Sequence, residues 1–235
     1  MQKTVKWKGD IMKKIGMLIA IDTELMEYFK SLSSVERLTG LAYDVWTTTV
    51  YGKQLFIIKS GAGEISASGA TQFLISALGV EVVINFGICG KLSPSLKILD
   101  TVVVNAVVHY QYDTSAIDNV EPGRYLQFDS VYIKPDSSLI QRLQEIDGEI
   151  KPTICASADL FVAKEEDKKF LRETYNADVC EMEAAGILIT CKKNNIPCLM
   201  VKSVSDDCDD MDFKTYCSLA AAKHVQLINE FVKNY

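Results

Sequence analysis

Short, wholly apolar runs alternate with amphipathic ones along most of the chain. Ile15–Ile21, Val82–Phe86 and the stretch from Pro197 through Val204 have almost no polar positions. Each is too short for a buried helix and lacks the alternation of a half-exposed strand, so each predicts a central strand covered on both faces. Thr101–Val108 and Ile154–Ser157 predict two more strands. Residues 42 to 50 and 53 to 59 are β-rich on either side of Tyr51-Gly52 and predict a hairpin. Amphipathic or charged runs predict helices from Asp22 to about Leu32, Glu64 to Leu78, Ser138 to Ile146, Lys164 to Tyr175 and Phe213 to Val232. Asp22 stands where a side-chain N-cap belongs. Two glycine segments, Ser60-Gly61-Ala62-Gly63 and Gly87-Ile88-Cys89-Gly90, follow strands and read as loops. Residues 109 to 130 are irregular and aromatic-rich, as a lid or partner contact is.

Strands alternating with helices predict an α/β fold. The expected form is a three-layer α/β/α sandwich with a twisted, mostly parallel mixed sheet. Residues 12–235 would form one domain, with residues 1–11 as a disordered extension.

Composition narrows the function. The formal charge of −6 argues against an electrostatic grip on nucleic acid or an anionic membrane. No apolar run approaches the roughly 18–20 residues that span a bilayer. The seven cysteines lack a Cys-x-x-Cys pair and lie mostly in apolar runs, which predicts reduced, buried thiols in a cytoplasmic protein. His109 and His224 have no ligand spacing, so neither a metal nor another cofactor is expected. The acidic cluster Asp207, Asp209, Asp210 and Asp212 lacks the spacing of a calcium loop.

Candidate chemistry gathers at strand ends, where open α/β sheets bind ligands. Glu24 falls in the first turn after the first strand, as a dipole-compensating acid or as a base overhanging the strand ends. In Glu181-Met182-Glu183 the two acids are two apart and point the same way on an extended segment. Such a pair suits a diol, because a carboxylate accepts from two hydroxyls. Taken alone, two surface acids in a loop are the plainer reading. Ser205-Asp206 ends the last strand.

The order of these pieces resembles the nucleoside phosphorylase/nucleosidase family, and most closely its methylthioadenosine/S-adenosylhomocysteine nucleosidases. The pieces are Ala20 to Glu24, Ser60 to Gly63, Asn85 to Gly90, Asp159 to Val162, Glu181 to Ala184, and Ser205-Asp206. The resemblance implies Glu24 as the base that activates water and Asp206 as the acid that protonates the purine. It places Met182 and Glu183 on the ribose, with Glu181 and Ser205 beside them. It places Phe161 on the base and backbone contacts at Gly90 and Val162. It implies a homodimer acting on a small-molecule nucleoside, such as 5′-methylthioadenosine or S-adenosylhomocysteine, and releasing adenine. The sequence departs from the family pattern at Ile88, Lys91 and Lys202, the last standing where arginine is usual.

The chemistry fits these residue types. Cleaving an N-glycosidic bond builds positive charge on the sugar and negative charge on the leaving purine, so an acid on one side and a base on the other both help. A phosphate nucleophile would need cationic or amide-rich binding. None of the four arginines, Arg37, Arg124, Arg142 and Arg172, lies in a glycine segment. Hydrolysis is therefore the first expectation. A phosphorylase, or a nucleoside-binding protein of this fold without catalysis, are the alternatives.

Overall fold

The computed structural model describes residues 12–206 and 210–235, with no side chains placed over 210–215. The expected extension at residues 1–11 lies outside the described residues, as do Asp207, Cys208 and Asp209 of the acidic stretch. The described chain runs β1 (Lys14–Ile19), α1 (Asp22–Lys30), β2 (Glu36–Leu38), β3 (Val45–Val50), β4 (Lys53–Lys59), α2 (Glu64–Phe73) and one π-helical turn (Leu74–Leu78). It continues with β5 (Val82–Lys91), β6 (Thr101–His109), α3 (Ser115–Asp118), α4 (Ser137–Ile146), β7 (Lys151–Ser157) and α5 (Glu165–Tyr175). It closes with β8 (Val179–Glu181), α6 (Ala184–Asn194), β9 (Cys198–Asp206) and α7 (Asp210–Asn234).

The strands form one nine-stranded mixed sheet in the order β2-β3-β4-β1-β5-β8-β7-β6-β9, with β9 also paired to β5. The pairings β1–β4, β1–β5, β5–β9, β6–β7 and β7–β8 are parallel. The other four, β2–β3, β3–β4, β5–β8 and β6–β9, are antiparallel. The expected hairpin is present: Tyr51 and Gly52 both take positive φ, of 49° and 72°, between β3 and β4. Positive φ at both central residues matches the turn to the right-handed twist of the strands.

Both faces of the sheet are apolar, and helices cover both. Ile15, Met17 and Ile19 of β1 join Leu55 and Ile57 of β4 and Leu199 and Val201 of β9 in one core, closed by α1, α4 and α7. Leu18, Phe56, Ile58, Val83 and Met200 point the other way, into a core closed by α2 and α6. Strand residues alternate between faces, so a strand buried on both sides is apolar at most positions, and the exceptions, such as Asn85 of β5 and Lys202 of β9, are hydrogen-bonded where they are buried. Each large side chain buried this way contributes about 1.5–3 kcal/mol.

Four expectations need correction. Asp22 does not cap α1: Ile21 is the N-cap, and Glu24 reaches back to its N–H. Asp22 instead pairs with Lys59 at the surface. The helix expected from Glu64 to Leu78 turns π-helical at Leu74 and ends in left-handed Gly79. The segment Gly87–Gly90 is no loop. It continues β5 to Lys91, because β9 and β8 offer hydrogen bonds on either side, and a register shift between Cys89 and Gly90 lets β5 part from one to the other. A three-residue edge strand, β2, was not anticipated.

Candidate active site

The ends of β1, β5, β8 and β9 open on one hollow whose wall is mostly apolar with a few buried acids, the make-up of a small-molecule site. Glu24, Gly90, Phe161, Val162, Glu181, Met182, Glu183, Ser205 and Asp206 all line it. Residues from five separate stretches of sequence thus converge. Ala20, Ile21, Ala62, Ile88, Cys89, Leu160 and Cys180 complete the wall. Sequence reasoning did not assign roles to Ala62, Leu160 or Cys180. Their signal was proximity to motifs rather than any chemistry of their own.

Glu24 is held at the end of β1 by three backbone donors. The N–H groups of Ala20 and Ile21 donate to Oε2, each at 3.2 Å, and that of Ile88 donates to Oε1 at 2.9 Å. The carboxyl is buried, and burial pushes its pKa up despite these donors and the nearby Lys202 charge. Gly87 has no side chain for a direct reason: a Cβ there would lie 2.6 Å from Glu24 Oε1.

Asp206 ends β9 and is buried, and the Ser205 hydroxyl donates to its Oδ2. Phe161 is half-exposed, while Val162 beside it is buried.

The structure divides the expected carboxylate pair. Glu181 spends its oxygens on the protein. Lys202 Nζ reaches Oε2 at 2.9 Å, and the N–H groups of Glu183 and Ala184 donate to the same carboxylate. Burial opposes the Glu181 charge, but the Lys202 ammonium and these donors outweigh it and hold the group below the usual range. Lys202 is pushed up in turn: burial disfavours its charge, and Glu181 and Glu183 more than compensate. Removing one partner of such a buried pair costs about 3–5 kcal/mol. Glu183, by contrast, gives Oε1 to the Gly63 N–H at 2.9 Å and sits at the start of α6 facing the hollow. Burial and the Glu181 charge raise its pKa. Of the two acids, Glu183 is thus the one whose carboxylate faces the hollow without an ammonium partner, while Glu181 is tied to Lys202 and the start of α6.

No lysine or arginine side chain lines the hollow among the described residues. Lys202 lies behind the wall, committed to Glu181. His109 stays out of the hollow; its Nδ1 hydrogen-bonds the Tyr125 hydroxyl, and Tyr125 stacks on Tyr112 at 3.7 Å. Those three side chains pack on one another in the 109–130 segment. The six described cysteines are buried thiols. Among the described residues no group of side chains is arranged to hold a metal ion. No described helix is long and apolar enough to cross a membrane.

Buried acids gathered at the strand ends of a mixed α/β sheet, with no lysine or arginine side chain lining the hollow among the described residues, are the arrangement of a nucleosidase-type site. A profile of the phosphorylase superfamily matches residues 14–233, and the chain belongs to that family. It is 31% identical over 212 residues to the 5′-methylthioadenosine/S-adenosylhomocysteine nucleosidase of Shewanella denitrificans, covering 86% of this chain and 91% of that one. It is 29% identical over 229 residues to the aminodeoxyfutalosine nucleosidase of Helicobacter pylori, covering 94% and 99%. The crystal structure of the Helicobacter pylori methylthioadenosine/S-adenosylhomocysteine nucleosidase superposes with a TM-score of 0.90 at 27% identity, covering 95% of this chain and 99% of that one. That structure holds a ligand with an aminopyrrolopyrimidine and a thioether arm.

Proposed function

We propose that the chain hydrolyses the N-glycosidic bond of adenine nucleosides that carry a 5′-substituent, 5′-methylthioadenosine and S-adenosylhomocysteine first among them. The observation that carries this reading is the convergence of Glu24, Glu183 and Asp206 on one hollow that, among the described residues, no cationic side chain lines. In this account Asp206 delivers a proton to the leaving purine, steadied by Ser205. Phe161 stacks on the base, and the backbone at Gly90 and Val162 sets its edge. Met182 packs on the sugar, while the Glu183 carboxylate accepts from its hydroxyls and places negative charge near the developing cation. Glu24 draws a proton from water on the opposite face. Its raised pKa suits a base that must take up a proton and then release it.

The catalytic unit in this reading is residues 12–235, acting as a homodimer in the cytoplasm, in nucleoside catabolism and methionine salvage. Buried thiols support the compartment. Strongly exposed Ile117 and Leu126, both in the 109–130 segment, support a second copy packing there. The relatives' names divide between two kinds of nucleosidase, so the 5′-group is the point to measure. With the purified protein, adenine release is expected from 5′-methylthioadenosine, S-adenosylhomocysteine and aminodeoxyfutalosine, with kcat/KM at least about tenfold above that for inosine, which lacks the 6-amino group. Equal rates on inosine would remove the adenine assignment. Binding without turnover on the whole panel would leave a nucleoside-binding protein.

A further inference from the structure

Asp159 stands two residues before Phe161, and the reaction above gives it no part. Its side chain reaches the start of α2, which has no cap of its own. The N-cap there is Gly63, with no side chain and a φ of 98°, a conformation open to glycine. The Glu64 N–H, first of the helix, donates instead to Asp159 Oδ1 at 2.7 Å, from 95 residues along the chain. Asp159 thus does for α2 what a local Asp or Ser does at an ordinary N-cap, and its charge meets the positive end of the helix dipole. The fit is close: a Cβ at Gly63 would lie 2.7 Å from the same Oδ1.

The helix start that Asp159 caps is also the one that holds Glu183. The Gly63 N–H donates to Glu183 Oε1 at 2.9 Å. The Glu64 carboxylate ties the same turn to α6 and β7, since Oε2 accepts from the Gly186 N–H and Oε1 from the Ser157 hydroxyl at 2.5 Å. A Cβ on Gly186 would lie 2.4 Å from the Glu64 carbonyl oxygen, so the starts of α2 and α6 are in direct contact. Two consecutive N–H groups, of Gly63 and Glu64, are therefore divided between an acid that faces the hollow and an acid that leads into the segment carrying Phe161.

That segment lies outside any helix or strand. The Ala158 N–H donates to the Glu181 carbonyl at 3.3 Å, and Val162 is buried with Val108, Leu171 and Tyr175. Between them Leu160 and Phe161 line the hollow, 41% and 45% exposed. Asp159 supplies a hydrogen-bonded anchor on one side of this pair and Val162 a packed one on the other. We propose that Asp159 is a positioning residue: it fixes Leu160 and Phe161 against the helix start that holds Glu183, and so sets the span between the contact to the base and the contact to the ribose. This role rests on the reading of Phe161 and Glu183 as those two contacts. A nucleoside bridges both, so a loosened segment costs binding, while Glu24 and Asp206, set by β1 and β9, keep their places.

Asp159→Ala and Asp159→Asn test this together. Asp159 is exposed, so both variants are expected to fold. Asparagine keeps an acceptor oxygen and caps helices about as well as aspartate, whereas alanine offers no acceptor. Asp159→Ala is expected to raise KM for 5′-methylthioadenosine about tenfold or more with kcat within about threefold, and Asp159→Asn to restore KM to within about twofold of wild type. The alanine variant should also lose about 2–4 °C in Tm, which a helix cap alone would explain. Hydrogen exchange gives a substrate-free reading of the segment. The amides of residues 159–163 should exchange faster in Asp159→Ala than in wild type or Asp159→Asn, with those of β7 unchanged. An alanine variant that loses Tm but keeps the wild-type KM, an asparagine variant as impaired as the alanine one, or unchanged exchange over 159–163 each overturns the proposal. Wild-type protein that cleaves no nucleoside sinks the assigned reaction instead, and the exchange difference still reports whether Asp159 holds the segment.

Discussion

Asp206→Asn is expected to lower kcat by a factor of about 10²–10⁴, with nucleoside binding little changed. Asparagine has nearly the shape of aspartate, and its carbonyl can still accept from the Ser205 hydroxyl. What it lacks is a proton to give the departing purine. Without that proton the negative charge of the leaving group stays on the ring, and among the described residues no lysine or arginine lines the hollow to neutralise it. The loss should appear in kcat, since the missing interaction forms only as the bond breaks. Single-turnover adenine release and a direct binding titration on the same preparation separate the two quantities. Full activity in this variant would contradict the role given to Asp206.

Glu24→Gln carries the second large effect, again about 10²–10⁴ in kcat, and it has a structural cost that the first does not. The Glu24 carboxylate receives three backbone N–H groups, from Ala20, Ile21 and Ile88. A glutamine has a single acceptor oxygen, so its NH₂ must face at least one of these donors. The unsatisfied donor costs about 1–3 kcal/mol of stability. A fall in Tm is therefore expected alongside the fall in kcat. The discriminating result is affinity: a variant that still binds the nucleoside within a few-fold of wild type but cannot cleave it has lost the base, not the fold. Wild-type turnover in Glu24→Gln would instead leave Glu24 as a helix-capping acid, its N–H contacts being its whole purpose.

The parts of this site that could be read from sequence are those whose signal is local. Glu24, Glu183 and Asp206 each stand at the end of an apolar run, and a buried strand end is where a ligand meets the sheet. The central strands were legible for the same reason, since burial on both faces leaves them with few polar positions. Tyr51-Gly52 was legible because a tight hairpin needs those backbone angles. What escaped was set by partners far along the chain. Gly87–Gly90 reads as a loop by composition, and only its pairing to β8 and β9 keeps it extended. Asp22 is the better N-cap by residue type, yet the buried Glu24 reaches back and takes that place. Glu181 and Glu183 are indistinguishable by spacing, and it is Lys202, 21 residues on, that claims the first and leaves the second for the hollow. Glu64 looked like any acid in a first helical turn. Its setting comes from Ser157 and Gly186, 93 and 122 residues away.

The account depends on water, not phosphate, reaching the sugar across a hollow lined by acids. The most direct measurement is the initial rate of 5′-methylthioadenosine cleavage in buffer scavenged of phosphate, compared with the rate after phosphate is added, with the sugar product identified in both. Equal rates and a free sugar in each are the predicted result. Turnover only when phosphate is present, yielding the sugar 1-phosphate, would contradict it.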